Sequence, residues 1–143
     1  MKFDSNNNVV KLCAQGMALE GQGKNEDALQ VYEQAWTEAT DDFERFTAAH
    51  YVARQQKTIS DKLRWDQTAL KHALKINDPG VKASMPSLYL NVGKCYEELN
   101  DFENAMLNYK LALSFTDTLT DDGYGKMIKK GIEKGLARVQ NPE

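Results

Sequence analysis

Apolar and small residues recur along this chain at the spacing of an α-helix. Leu12, Gly16 and Leu19 lie three or four residues apart, which places them on one helical face. The glycine-rich segment 21–23 then predicts a helix end, and Asn25 begins the next apolar pattern. Applied throughout, the pattern predicts seven helices, over 9–21, 25–39, 43–57, 61–77, 84–99, 101–117 and 121–140.

Helix starts are indicated by polar residues that precede apolar runs. Asp61 and Ser84 are two such signals. Asn100, with Glu103 three residues later, is typical of a capping box. Residues 77–81 contain Asn, Asp, Pro and Gly, so we expect a loop there.

A set of small and aromatic residues occurs twice, 77 positions apart. The pairs are Gly16 and Gly93, Ala28 and Ala105, Tyr32 and Tyr109, and Ala35 and Ala112. A mid-helix glycine costs about 1 kcal/mol relative to alanine, so two in equivalent places need a reason. Close approach of neighbouring helices supplies that reason. We therefore expect equivalent helix hairpins at the two ends of the repeat region.

A third unit fits between these copies. Phe46 follows Leu12 by 34 residues, and Ala53 follows Leu19 by the same distance. Beyond that point the alignment needs extra residues near 57–60 and 77–81. The middle unit is therefore the degenerate one.

These residues resemble the tetratricopeptide repeat, a 34-residue helix hairpin with a conserved small-and-aromatic pattern. The unit at 86–119 matches best, through Tyr89, Val92, Gly93, Tyr96, Ala105, Tyr109 and Ala112. The unit at 9–42 carries Leu12, Gln15, Gly16, Leu19, Ala28, Tyr32 and Ala35. The unit at 43–85 has His50 where glycine is usual. The resemblance implies one all-α domain over 1–143, in which antiparallel helix pairs stack into a right-handed superhelical solenoid.

The last predicted helix, 121–140, reads as a cap for this stack. Its apolar stripe comprises Tyr124, Ile128, Ile132, Leu136 and Val139. Four lysines and Arg138 lie mostly off that stripe, and an open repeat stack needs a terminal element with a polar outer face. The alternative is a basic amphipathic helix that binds an acidic partner or anionic lipid.

Composition and charge narrow the class of protein. Hydrophobic residues make up 41% and charged residues 27% of 143 residues, with a formal net charge of -3. No overall basic footprint for nucleic acid is present, and no apolar stretch is long enough to span a membrane. Residues 1–8 are polar and unlike an export signal, so Cys13 and Cys95 are expected to be free thiols in the cytoplasm.

The sequence offers little for catalysis. His50 and His72 are the two histidines, and neither belongs to a spaced ligand cluster. Nucleophile-elbow, phosphate-loop and dinucleotide-binding motifs are missing. We therefore expect no enzymatic activity, no metal and no cofactor.

The resemblance implies a concave groove lined by the first helix of each pair. The predicted groove residues are Cys13, Met17, Thr47, Tyr51, Arg54, Ser87, Leu90, Asn91 and Lys94, with Val10, Glu20 and Glu97 beside them. The chaperone-binding subgroup of the family uses a Lys/Asn/Arg carboxylate clamp, which Cys13 and Met17 do not match. The expected function is an adaptor, monomeric or weakly dimeric, that binds a protein segment. The alternative is a sensory or regulatory fragment whose groove binds a signalling peptide.

Overall fold

A computed structural model describes residues 6–140, which are helical and contain no β-strand. Residues 1–5 of the predicted polar N-terminus lie outside this range. The helices are α1 (Asn8–Gly21), α2 (Asn25–Glu38), α3 (Asp42–Arg54), α4 (Ile59–Ala73), α5 (Pro79–Lys82), α6 (Met85–Glu98), α7 (Phe102–Ser114) and α8 (Gly123–Gln140). A 3-10 turn covers Thr116–Thr118. All seven predicted helices are confirmed, and α5 is an addition.

The chain forms two compact units, which divide between Ile76 and Asn77. In the first unit α1 packs against α2 and α3 packs against α4, while α3 also contacts both α1 and α2. In the second unit α6 packs against α7, and α8 contacts both of them. The three predicted hairpins are therefore present, as α1–α2, α3–α4 and α6–α7. The expectation of a single domain over the whole chain stays a prediction.

Three boundaries of the middle hairpin differ by two to four residues from those predicted, and one of them is the end of α4 at Ala73 rather than at residue 77. Helix α3 ends at Arg54 rather than at residue 57. Helix α4 begins at Ile59 because the Thr58 side chain accepts the Asp61 N–H at 3.1 Å. Asp61 thus lies in the first turn rather than at the cap. Threonine is nearly as good a cap as aspartate, so the sequence alone did not separate them.

The loop predicted at 77–81 is partly helical. Asp78 accepts the Gly80 N–H at 2.8 Å, and Pro79 stands in the first turn, where its missing N–H costs nothing. The predicted Asn100 cap was also wrong. Asn100 has a left-handed φ of 62°, and Asp101 accepts the Asn104 N–H instead.

The repeated glycines lie against the repeated tyrosines. A Cβ atom on Gly16 would stand 2.2 Å from a ring carbon of Tyr32, and one on Gly93 would stand 2.8 Å from Tyr109. Both tyrosine side chains are completely buried. Burying one aromatic side chain stabilises a fold by about 1.5–3 kcal/mol. The close helix contact predicted from the glycine spacing is therefore confirmed in both units.

Helix α8 buries the stripe expected of a cap, with one change. The buried positions are Gly125, Ile128, Ile132, Gly135 and Val139, while Leu136 is half-buried. Tyr124 does not belong to the stripe, since 53% of it is exposed. The adjacent Gly125 faces inward instead. Glycine is needed there because a Cβ atom would meet the Thr120 carbonyl oxygen.

Candidate functional site

Two of the groove residues predicted in the first unit are buried. Cys13 is 3% exposed, and burial raises the pKa of its thiol to about 12. Thr47 is 4% exposed, and its hydroxyl donates to the Phe43 carbonyl at 2.8 Å. Neither side chain presents surface to a peptide, so both are structural residues here.

The other three residues predicted in that unit reach the surface. Met17 on α1 is 46% exposed, whereas Tyr51 on α3 is half-buried. The Tyr51 ring stacks on Tyr32 with centroids 5.2 Å apart, and the Arg54 guanidinium lies 5.9 Å from the Tyr51 centroid. Arg54 also pairs with Glu20 at 3.1 Å. Its charge is therefore already matched by a carboxylate of the same unit.

In the second unit the predicted residues share α6 but differ in exposure. Leu90 is 4% exposed and packs at Gly131 of α8, so it is not available to a ligand. Ser87 is half-buried and donates to the Ser84 carbonyl at 3.0 Å. Asn91 is half-buried, and Lys94 is exposed. We call Ser87, Asn91 and Lys94 the α6 face.

A polar junction that the sequence analysis missed joins α3 to α1. The Glu20 carboxylate at the end of α1 accepts hydrogen bonds from Gln55 and Arg54. Burial opposes its ionisation, but these donors outweigh burial and hold the pKa of Glu20 below its ordinary value. Burial raises the pKa of the nearby Tyr32 hydroxyl, and the Glu20 charge adds to that effect.

The second unit contains the same junction between α6 and α8. Arg138 donates to Glu97 at 2.8 Å and 3.2 Å, and the Tyr109 hydroxyl donates to Glu97 at 2.7 Å. The Arg138 hydrogen bonds are the main cause of the lowered pKa of Glu97. Glu20 and Glu97 are also 77 positions apart, so the repeat spacing contained the signal for this pair.

The histidines serve the packing of the first unit. His72 on α4 forms a 2.8 Å contact with the Asp42 carboxylate, and its ring lies edge-on to Trp36. Burial lowers the pKa of His50 on α3. Across the part of the chain that the structure describes, no three His, Cys, Asp or Glu side chains converge as metal ligands. Within that part no helix combines the length and apolarity needed to cross a bilayer.

Comparison with known families gives one match, in the second unit. The tetratricopeptide repeat model matches residues 86–117, which contain α6 and α7. This match and the helix hairpins together support a tetratricopeptide-repeat-like superfamily. Searches of curated proteins and of solved structures found no match. Repeats of this family are typical of protein-interaction modules and are generally non-catalytic, so the candidate functional surfaces are those that could contact another protein.

Proposed function

We propose that this protein is a non-enzymatic interaction module that binds a peptide segment or helix of a partner protein. The supporting observation is the exposure pattern of α6, the first helix of the matched repeat. Its apolar residues are buried in the second unit, while Asn91 and Lys94 remain accessible. A packed helix that presents polar groups of this kind is suited to ligand contact rather than to further core formation.

The α6 face offers complementary chemistry for a peptide. The Asn91 amide can both donate to and accept from a peptide backbone. Lys94 supplies a positive charge one helical turn away. Such groups recognise an extended main chain or an acidic side chain.

In the first unit, Met17 and Tyr51 provide a separate apolar contact surface. Methionine is flexible and polarisable, and it adapts to irregular ligand shapes. Arg54 can contribute through its accessible edge while it remains paired with Glu20, because about half of its side chain is exposed. Cys13, Thr47 and Leu90 support these surfaces from beneath instead of contacting the ligand.

We further propose a cytoplasmic protein that needs no cofactor and is monomeric or weakly dimeric. Neither Cys13 nor Cys95 forms a disulfide among the described residues, and both are buried, which suits a reducing compartment. The charge balance supports a protein partner over nucleic acid.

Affinity capture from native lysate, followed by mass spectrometry, tests the function. The protein is compared with a variant carrying Asn91→Ala and Lys94→Ala. The matched control is Lys110→Ala together with Asn104→Ala, since both of these side chains are exposed on α7. We expect a specific partner to be lost with the first variant and retained with the control. Equal capture by all three proteins would refute the α6 face as the binding surface.

A further inference from the structure

Helix α8 makes the same contacts in the second unit that α3 makes in the first. Arg54 on α3 pairs with Glu20, and Arg138 on α8 pairs with Glu97. The two arginines are 84 residues apart, whereas the two glutamates are 77 apart. With that 84-residue offset, Gly135 corresponds to Tyr51. Gly135 indeed lies against Tyr109, as Tyr51 lies against Tyr32. Helix α8 thus occupies, against α6 and α7, the position that α3 occupies against α1 and α2.

Among the described residues, no second helix packs along α8 in the way that α4 packs along α3. Helix α3 packs along α4, and its residues Phe43, Phe46, Ala49 and Ala53 are buried. The corresponding positions on α8 are Met127, Lys130, Glu133 and Ala137, all of which are exposed. Helix α8 contacts α6 and α7, and it is the last helix described. Within residues 6–140, no helix therefore covers this lateral surface of α8.

This surface combines positive charge with apolar side chains. Met127 is 61% exposed and Tyr124 is 53% exposed. Lys130 and Lys134 lie one turn apart beside them and are exposed. Helix α8 carries five basic residues and one acidic residue, in a chain whose formal net charge is -3. We call Tyr124, Met127, Lys130 and Lys134 the α8 face.

We propose that the α8 face binds an acidic amphipathic helix of a partner protein, which packs along α8 as α4 packs along α3. This inference rests on the proposed protein-binding function. The apolar side of the partner helix contacts Tyr124 and Met127, and its carboxylates pair with Lys130 and Lys134. Such a helix satisfies both properties of the face at once.

A lipid surface fits the same face less well. An interfacial helix inserts a broad apolar side into the headgroup region. Helix α8 has already buried that side, through Ile128, Ile132 and Val139. Glu133 adds one exposed negative charge beside the lysines, which opposes an anionic membrane and an acidic helix alike and does not separate them.

Fluorescence anisotropy with a designed peptide tests the proposal. The probe is a labelled, stapled 18-residue helix with leucines on one face and glutamates beside them, and its partner control has lysine in place of each glutamate. We expect the acidic peptide to bind the full chain and the basic peptide not to bind. Lys130→Glu with Lys134→Glu should weaken binding at least tenfold, whereas Lys130→Arg with Lys134→Arg should preserve it. Lys82→Glu with Lys110→Glu, which changes the net charge equally at exposed sites, should have little effect.

Several results would overturn the proposal. These are no peptide binding, equal binding by the Lys130→Glu/Lys134→Glu variant, stronger binding to phosphatidylcholine vesicles containing phosphatidylserine, and self-association that the same variant abolishes. The capture experiment with the Asn91→Ala and Lys94→Ala variant tests binding at α6 rather than at α8. If capture depends on those residues while the acidic peptide fails to bind, the α8 face is refuted and the interaction function stands.

Discussion

Each unit has a junction of one glutamate, one arginine and one tyrosine, but the surroundings of the tyrosine differ between the two units. In the first unit Tyr32 lies between Gly16 and the ring of Tyr51. Its buried hydroxyl does not reach an ordinary hydrogen bond among the described residues, yet it interacts with Glu20 closely enough to lower the pKa of Glu20 and raise that of Tyr32. The Glu20 carboxylate accepts hydrogen bonds from Arg54 and Gln55.

In the second unit Tyr109 lies between two glycines, Gly93 and Gly135, and donates directly to Glu97. The difference shows which contacts define the repeat. The glycine beneath the tyrosine and the glutamate–arginine pair occur in both units. The residue that packs on the tyrosine from the other side differs: it is Tyr51 of α3 in the first unit and Gly135 of α8 in the second.

Adding a methyl group beneath each tyrosine should have the largest effect. Overpacking a core costs about 1–3 kcal/mol, which exceeds the helix propensity gained on replacing glycine. We expect Gly16→Ala to lower the free energy of unfolding more than Gly93→Ala, because its Cβ would lie 2.2 Å rather than 2.8 Å from the ring. Urea denaturation measures both variants.

Gly21→Ala is the control for that experiment. A Cβ at Gly21 would meet no described atom within 4 Å, so this variant should retain full stability. Equal stability of Gly16→Ala and Gly21→Ala would contradict the close packing of Tyr32 on Gly16.

Removing the tyrosine hydroxyls should separate the two junctions. Tyr109→Phe loses a hydrogen bond to a charged acceptor and should cost about 1.5–3 kcal/mol at most, and less if water replaces the bond. Tyr32→Phe removes a hydroxyl that interacts with Glu20 more weakly, so it should cost less than Tyr109→Phe. Thermal and urea unfolding of the two variants measure this difference, and a larger loss for Tyr32→Phe would contradict it.

The ion pairs should contribute least. About half of the Arg54 and Arg138 side chains is exposed, so a double-mutant cycle on either pair should give about 0.2–1 kcal/mol of coupling. Glu97→Gln and Arg138→Ala form one cycle, and Glu20→Gln and Arg54→Ala form the other. A coupling energy of zero in both cycles would show that the ion pairs do not stabilise the two junctions.

The same carboxylates predict a pH dependence. The pKa of Glu20 and that of Glu97 lie below their ordinary value of 4.5, so the folded state favours their ionised forms. Their contribution to stability is present above that value and is lost as the pH falls through the folded pKa. Between about pH 6 and pH 3, the wild type should therefore lose more stability than the Glu97→Gln variant. Parallel losses in the two proteins would contradict the assignment.

The elements that the sequence predicted correctly are those that depend on local periodicity. Gly16 and Gly93 predicted a close approach of neighbouring helices because a mid-helix glycine is costly unless a neighbouring helix requires it. The pair of Glu97 and Arg138 was missed because Arg138 follows the 84-residue offset of the last helix rather than the 77-residue spacing.

Exposure of the predicted binding residues was harder to foresee. Cys13, Thr47 and Leu90 stand at positions that the family pattern assigns to the groove, but each is at most 4% exposed. Exposure at such positions depends on how closely the following helix packs. At Leu90 that packing reflects Gly131, which allows α8 to approach. A single-chain pattern does not encode this distance.

The most direct test compares Gly135→Ala with Gly131→Ala, two substitutions one turn apart in α8. A Cβ at Gly135 would lie 2.6 Å from the Tyr109 ring, whereas one at Gly131 would make an ordinary 3.4 Å contact with Leu90. If α8 occupies the position of a first helix against Tyr109, urea unfolding will show Gly135→Ala destabilised and Gly131→Ala as stable as the wild type or more so. Equal stability of the two variants, or the reverse order, would contradict that placement of α8.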